Sequence, residues 1–323
     1  MSRPSIENRS RPIKSAKQKK KFFGIGIIVF VMILSLSYQA LAVEWFSDNS
    51  ELKVWVFDVG QADAIFIETP NGEQILVDAG ADGTILTKLG EVMLPWDRTI
   101  DAVIITHPHA DHEGGLPEVL RRYNIETIYE TGVSGYNDLQ DTVRQLADEQ
   151  GSEMILVTDS NPPLLSGEGW LASPKPSEGG GEGLEVKILA PAVNLQNKKI
   201  DNLNASSIVL LITYGETSIL LTGDAPIDEE NDILTDLEQS VDVLKVAHHG
   251  SVTSTSGNFL ETVLPRFAII SVGTDNDYGH PNPATLERLN SRDIKTFRTD
   301  FDGDVLITSN GREPVVVSRL LPF

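Results

Sequence analysis

Between residues 52 and 318 the chain alternates short apolar runs with turn-forming clusters and with stretches of helical spacing. Residues 52–59, 64–68 and 74–77 are rich in Val, Ile, Leu and Phe and too short for helices, so they read as strands. Pro70-Asn71-Gly72 separates the last two and predicts a hairpin. Residues 84–93 have the spacing of a short helix, and the apolar run 102–106 reads as the next strand. Leu116, Val119, Leu120 and Tyr123 then recur at helical intervals. A strand at 125–129, a charge-rich helix at 137–150 and a short strand at 154–157 follow. Further on, 184–190, 207–213 and 218–222 read as strands, the last two joined by Tyr214-Gly215-Glu216. Helix 228–239, strand 242–247, helix 257–264, strand 267–272 and helix 283–290 come next. Residues 302–306 and 314–318 close the chain as a hairpin through Asn310-Gly311. Hairpin-joined strands with helices interspersed in both halves predict an α/β fold of two mixed sheets, packed face to face, with helices outside.

Two segments depart from this rhythm. Residues 159–183 carry Asn161-Pro162-Pro163, Pro174, Pro176 and Gly179-Gly180-Gly181, the composition of a flexible surface insertion. Candidate ligands lie on both sides of it, so 44–323 reads as one domain. Residues 1–21 are polar and basic, ending in Lys17-Gln18-Lys19-Lys20-Lys21, and 22–37 are almost wholly apolar before Ala40-Leu41-Ala42. A basic flank, an apolar stretch and an Ala-x-Ala site make a secretory signal peptide. The apolar run, carried to residue 43, is also just long enough for a single membrane anchor, which needs about 20 residues. Either reading puts the rest of the chain outside the cytoplasm, secreted or tethered to the cytoplasmic membrane, because the positive flank stays inside.

Composition narrows the chemistry. The 323 residues are 40% hydrophobic, enough for a substantial core, and include no cysteine. Disulfide partners and thiolate ligands are thereby excluded, so a metal would rest on His, Asp, Glu or Asn. The net charge of −21 conceals an asymmetry: eight Lys/Arg and the single acid Glu7 lie within residues 1–42. Beyond residue 42 stand 18 of the 26 Lys/Arg and 46 of the 47 Asp/Glu, a formal charge of −28. Such a surface repels nucleic acid at long range and argues against tight, non-specific DNA binding.

The chemistry concentrates in His107-Pro108-His109-Ala110-Asp111-His112-Glu113, followed by Gly114-Gly115. Three imidazoles and a carboxylate stand where a strand gives way to a helix, and this is a ligand set for Zn²⁺ and similar divalent ions. The two glycines are read as allowing a tight turn beneath them. The remaining three of the six histidines also lie in short polar motifs, His248-His249-Gly250-Ser251 and Gly279-His280-Pro281. Alternation of side chains at a strand end predicts that only one of His248 and His249 ligates. His248 is preferred; His249 then supports it or faces substrate. His280, opening the last helix, is a candidate to orient a phosphate, protonate a leaving group or ligate metal.

The His-x-His-x-Asp-His run resembles the signature of the metallo-β-lactamase superfamily, which implies a four-layer αββα sandwich. By that resemblance His107 and His109 serve one metal, Asp111 and His112 a second about 3.5–4 Å away. Asp224, ending Leu221-Thr222-Gly223-Asp224, matches the aspartate bridging both, and Asp78 the residue that orients a metal-binding histidine. Together with Phe57–Asp63 and Asn204-Ala205-Ser206-Ser207, these motifs look like one branch: the extracytoplasmic hydrolase-like domain of ComEC, the DNA-uptake channel protein of competent bacteria, and its free-standing relatives. A third histidine for the first metal is usual about 20 residues before the bridging aspartate; Asn204 stands there, a weaker ligand that would suit Mn²⁺ or bind phosphate.

The implied activity is hydrolysis of a phosphodiester by metal-activated hydroxide, with two divalent ions, Zn²⁺ or Mn²⁺. Asp111 or Asp224 would orient or deprotonate the water. Asn204, Ser207, Lys245, Ser251 and His280 are candidates to hold phosphate. Single-stranded DNA is the substrate class the branch implies. A cell-wall or teichoic-acid phosphodiester of the phosphorylcholine type suits the acidic surface, and a non-catalytic metal-binding module is the rival from outside enzymology.

Overall fold

Fourteen strands occur among the described residues. They are β1 (Leu52–Val56), β2 (Ala64–Glu68), β3 (Gln74–Ala79), β4 (Thr99–Ile104), β5 (Asn124–Glu130), β6 (Glu153–Leu156) and β7 (Leu184–Ala190). The second half supplies β8 (Val209–Tyr214), β9 (Thr217–Leu221), β10 (Val243–Lys245), β11 (Phe267–Ile270), β12 (Lys295–Arg298), β13 (Asp304–Ser309) and β14 (Val315–Arg319). The structure, a computed structural model, describes residues 51–133, 138–157, 184–237 and 239–319. The basic and apolar segments expected at 1–43 and the insertion expected at 159–183 lie outside the described residues. No helix among the described residues is long and apolar enough to cross a membrane.

The strands form two mixed sheets. The first has eight, in the order β14-β13-β1-β2-β3-β4-β5-β6; the second has six, β12-β11-β10-β9-β8-β7. β3 through β6 run parallel and β9 through β12 run parallel, while the hairpin-linked strands are antiparallel.

Period-two alternation sorts each strand's side chains between layers. Val54, Ile65, Ile67, Ile75, Val77 and Ile104 of the first sheet meet Leu210, Ile212, Ile219, Leu221, Val243 and Ile269 of the second in a central core. The opposite face of the first sheet, with Phe66, Leu76 and Val103, packs on Ile85, Leu89, Leu116, Val119, Val143 and Ala147 of its helices. The outer face of the second sheet, with Val209, Leu211, Leu220 and Leu244, is covered by Phe259, Leu260, Val263 and Leu289. Because both faces of these strands are buried, they read as unbroken apolar runs rather than alternating ones. The result is the four-layer αββα sandwich, as expected.

The differences from the sequence reading are local. β12 was not foreseen: Lys295-Thr296-Phe297-Arg298 buries only Phe297 and lies at a sheet edge, where charged side chains are tolerated and the apolar signal is weak. The helix expected over 228–239 is a helical turn, Ile227–Glu229, followed by Glu230–Thr235. The glycines after the His run serve a different purpose from the one expected. Gly115 has an ordinary helical backbone, φ −80°. A β-carbon there would collide with the carbonyl oxygens of Ala79 and Asp82, so glycine is needed for close approach, not for an unusual turn.

Candidate metal centre

The site forms where loops leaving the strand ends of both sheets meet. β4 ends at Ile104, and the chain then turns through Thr106 and His107 before the short helix Ala110–Glu113. Thr106 accepts a backbone hydrogen bond from Ile208 N (2.9 Å), which ties this turn to the segment before β8 in the other sheet. Asp63 N donates to Asp111 O (3.1 Å), holding the start of β2 against the same helix.

Asp78 sits at the end of β3 with φ 57°, a left-handed backbone that a non-glycine residue adopts only where its surroundings enforce it. Here the carboxylate is fully used. Oδ1 accepts from Thr106 N (2.8 Å), and Oδ2 accepts from Thr106 Oγ1 (2.7 Å) and lies 2.7 Å from His112 Nδ1. With Nδ1 committed, the buried Nε2 of His112 has no hydrogen-bond partner and faces Asp224 Oδ1, itself unpartnered, at 3.5 Å.

Asp224 follows β9 after Gly223, and its amide is capped by Ser207 Oγ (3.1 Å). Its Oδ2 lies 3.9 Å from His249 Nε2 and 3.8 Å from His248 Nε2. His249 is buried; Nδ1 donates to Ser271 O (3.0 Å) and Nε2 meets Asp111 Oδ2 at 3.3 Å. Ligand atoms from Asp111, His112, Asp224 and His249 therefore all lie within 4.8 Å of one another. Two oxygens and two imidazole nitrogens, held by fixed outer partners and with His112 Nε2 and Asp224 Oδ1 buried and without hydrogen-bond partners, fit a divalent cation. Among the described residues His107 and His109 border this cluster, with rings 4.1 Å (His107 to His112) and 4.6 Å (His107 to His109) apart. His107 Nε2 and His109 Nδ1 are 3.0 Å from each other.

The sequence profile of the metallo-beta-lactamase superfamily matches residues 57–274, about two-thirds of the chain. The chain belongs to the metallo-beta-lactamase superfamily. It is 28% identical to "ComE operon protein 3" of Bacillus subtilis (strain 168) over 298 residues, covering 87% of this chain and 35% of that protein. It is 28% identical over 300 residues to "Competence protein ComA" of Neisseria gonorrhoeae, covering 92% and 38%. To "Recombination protein 2" of Haemophilus influenzae (strain ATCC 51907 / DSM 11121 / KW20 / Rd) it is 29% identical over 307 residues, covering 93% and 33%. These are ComEC-family competence proteins, and the chain spans about a third of the length of each.

Within this metallo-beta-lactamase site the side chains are electrostatically interlocked. Burial alone would raise the Asp224 carboxyl, but the adjacent His112 and His249 outweigh it and hold Asp224 well below the usual carboxylate range. Burial likewise opposes charge on His112, yet Asp224 and Asp78 prevail and raise it well above its ordinary value. His107 is pushed well down by burial and by His112, so it stays a neutral imidazole with a lone pair available. Burial also lowers His109, His248 and His280.

Several sequence expectations are redirected by this geometry. Strand alternation predicts that one of His248 and His249 ligates, with His248 the preferred one, but β10 ends at Lys245 and both histidines have left-handed backbones, φ 52°. Alternation does not apply there: His249 turns into the four-residue cluster, and His248, 28% exposed, stays at its rim. Lys245 was a candidate for phosphate. It is instead buried, donating to Asp63 Oδ2 (2.8 Å) and to Val246 O (3.0 Å), so its charge is spent inside the sandwich. Ser207 lies buried beneath Asp224, and Ser251 Oγ accepts from Thr253 N (3.3 Å) and pairs with Thr253 Oγ1 (3.0 Å). Both hydroxyls are buried rather than at the exposed rim. Asn204 is next to the site: Nδ2 lies 3.3 Å from His248 Nδ1, and Oδ1 is buried without a partner. His280 reaches the rim, its ring 5.5 Å from that of His248.

Asp63 is the residue that sequence reasoning passed over. Its Oδ1 approaches His249 Nδ1 at 3.4 Å, opposite the Lys245 contact. The available signal was an acid set among small apolar residues, Ala62 and Ala64, which an exposed loop does not require.

Asp78→Asn tests the support role of the Asp78 carboxylate. The amide cannot accept from Thr106 and His112 together as the carboxylate does, so His112 loses its fixed orientation. Metal affinity is expected to fall roughly 10–100-fold, the range for partners that hold a ligating histidine, as read by competition with a chromophoric chelator.

Proposed function

We propose that the chain is a metal-dependent phosphodiesterase acting outside the cytoplasm, with single-stranded nucleic acid as its substrate class. The observation that carries the reading is the convergence of Asp111, His112, Asp224 and His249, with His112 Nε2 and Asp224 Oδ1 buried and unpartnered, where loops of both sheets meet. His107 and His109, with Asp224 between, are assigned to a second ion of the Zn²⁺ or Mn²⁺ kind, for which Asn204 would be the weak third ligand. A divalent ion so held would lower the pKa of bound water toward ~7 and polarise a phosphoryl oxygen.

The protein's own part is orientation and proton handling. Asp78 and the Ser271 carbonyl fix the imidazoles of His112 and His249 through their Nδ1 atoms, leaving each Nε2 directed inward. Asp111 has a side chain 36% exposed, so its carboxylate meets the opening. Burial notwithstanding, His249 and His112 hold it well below the usual carboxylate range, which suits it to orient an attacking water rather than to keep that water's proton. His280 stands at the same rim and is assigned to the phosphate or its leaving group. Similarity to competence proteins supports nucleic acid as substrate, and the basic and apolar pattern of residues 1–43 supports delivery across, or anchoring in, a membrane. The charge of −28 beyond residue 42 favours a second reading, a cell-wall ester of the phosphorylcholine type, which needs no basic track.

The test is metal content of the full chain together with turnover of bis-p-nitrophenyl phosphate, oligonucleotides and a phosphorylcholine ester in Zn²⁺ or Mn²⁺. Asp111→Ala is expected to lower turnover at least ~10²-fold, since it removes a ligand rather than a ligand's support. Tight metal binding without cleavage of any ester would leave only a metal-binding module. Preference for the choline ester over oligonucleotides would favour the second reading.

A further inference from the structure

Tyr278 stands beside the site with 73% of its surface exposed. Its ring lies 5.9 Å from that of His280 with an interplanar angle of 24°, and His280 lies 6.4 Å from His249 at 27°. Three rings, each tilted from the next by 24° and 27°, thus step from solvent to the metal cluster. Among the described residues no ring other than His280 stacks on Tyr278.

The row is held in place by its loop. Asn276 Nδ2 donates to His280 O (2.7 Å) and Gly273 O (3.0 Å), and Asn276 Oδ1 accepts from His280 N (3.0 Å) and Tyr278 N (3.2 Å). Gly273 N in turn donates to Gln61 Oε1 (3.1 Å), which fastens this loop to the one preceding β2. With the backbone so constrained, binding a ligand has mainly the two side-chain torsions of the exposed Tyr278 to order.

We infer that Tyr278, backed by His280, is a stacking platform for a nucleobase along the strand from the scissile phosphate, and so selects nucleic acid over other phosphodiesters. The inference rests on the phosphodiesterase reading above. A flat ring extends the existing row in the offset-stacked arrangement that aromatic pairs prefer. A quaternary ammonium is recognised by several rings forming a cage, whereas Tyr278 presents one open face. The flanking Asp275 and Asp277 are exposed acids, so this loop does not attract phosphate by charge. Base-face contact is then the main attraction, and added salt should weaken binding far less than in a protein that works by counterion release.

The test uses the full chain and fluorescence anisotropy with two labelled, phosphorothioate-linked strands of equal length, decathymidylate and an abasic analogue. Wild type is expected to bind decathymidylate about 10-fold more tightly, within the range for one stacked base. Tyr278→Ala should erase that preference, and Tyr278→Phe should keep it, because only the ring face is used. Equal binding of both strands by wild type overturns the platform. So does an equal loss on both strands in Tyr278→Ala, or a Tyr278-dependent preference for p-nitrophenyl phosphorylcholine. A base preference without ester cleavage would sink the phosphodiesterase reading alone; cleavage without base preference would sink the platform alone.

Discussion

Asp224→Ala is expected to strip the protein of tightly held metal and to reduce phosphodiester turnover on the order of 10³-fold, the upper range for removing one preorganised charge from a catalytic site. The residue is buried, and its two oxygens face three imidazoles: His112 at 3.5 Å, His248 at 3.8 Å and His249 at 3.9 Å. Removing it leaves those imidazoles with no central anion, and among the described residues the neighbouring Asp78 carboxylate is already engaged by Thr106 and His112. Asp111 approaches from the rim, and Asp63 is already paired with Lys245. Metal analysis and single-turnover hydrolysis would check this. Undiminished metal and turnover in the variant would mean that the chemistry lies elsewhere.

The same residue governs how the metal-free protein responds to pH. Asp224 is held below its unfolded value, so its contribution to stability is present above that value and is lost as pH falls through the depressed one. His112 is raised, so its contribution is complete below about 6.5 and is lost as pH rises through the raised value. Metal-stripped wild type should therefore be less stable at alkaline pH than near neutrality. Asp224→Ala should show a smaller alkaline loss, since Asp78 alone remains to hold the charge on His112. Chemical denaturation at a series of pH values gives both slopes.

Lys245→Met is expected to cost about 3–5 kcal/mol of stability, the range for breaking a buried ion pair by removing one partner. Lys245 rises from β10 in the second sheet and Asp63 precedes β2 in the first, and both are buried with 2.8 Å between Nζ and Oδ2. Without the ammonium, the Asp63 carboxyl group is left buried without its ion-pair partner. Its other contact is His249 Nδ1 at 3.4 Å, so the damage extends to a residue of the metal cluster. The double variant Lys245→Met/Asp63→Leu removes both charges and should recover most of the stability, because apolar replacements of a buried pair are often neutral. Metal affinity should not recover with it. Urea unfolding and chelator competition on the two variants separate the structural role of the pair from its role in holding His249.

Much of the candidate centre could be read along the chain because its ligands come in clusters. His107, His109, Asp111 and His112 fall within six residues, and a strand end followed by a helix leaves them few ways to point. Asp224 was legible only through the family resemblance, which matches Leu221-Thr222-Gly223-Asp224 to the bridging aspartate; by itself an acid after Gly223 at a strand end is a weak signal. Two mixed sheets with helices outside were legible because hairpin-joined strands and helical spacing recur in both halves, while the exact four-layer order came from the family resemblance.

What the chain by itself determined is the ligand inventory, the order of strands and helices, and the sandwich those elements build. What only the tertiary structure decided is which side chains reach one another across the two sheets. The Lys245–Asp63 pair joins residues 182 positions apart, and no local pattern distinguishes a lysine aimed into a core from one aimed at a phosphate. The choice of His249 over His248 depends on two consecutive left-handed residues, imposed where His248 N bonds to Gly223 O (3.2 Å) and Asn282 N to Gly250 O (2.9 Å). Those constraints come from neighbouring loops. Periodicity describes a strand only as far as its own ladder runs, and in this protein the ladder stops at Lys245, three residues before the first of those two histidines.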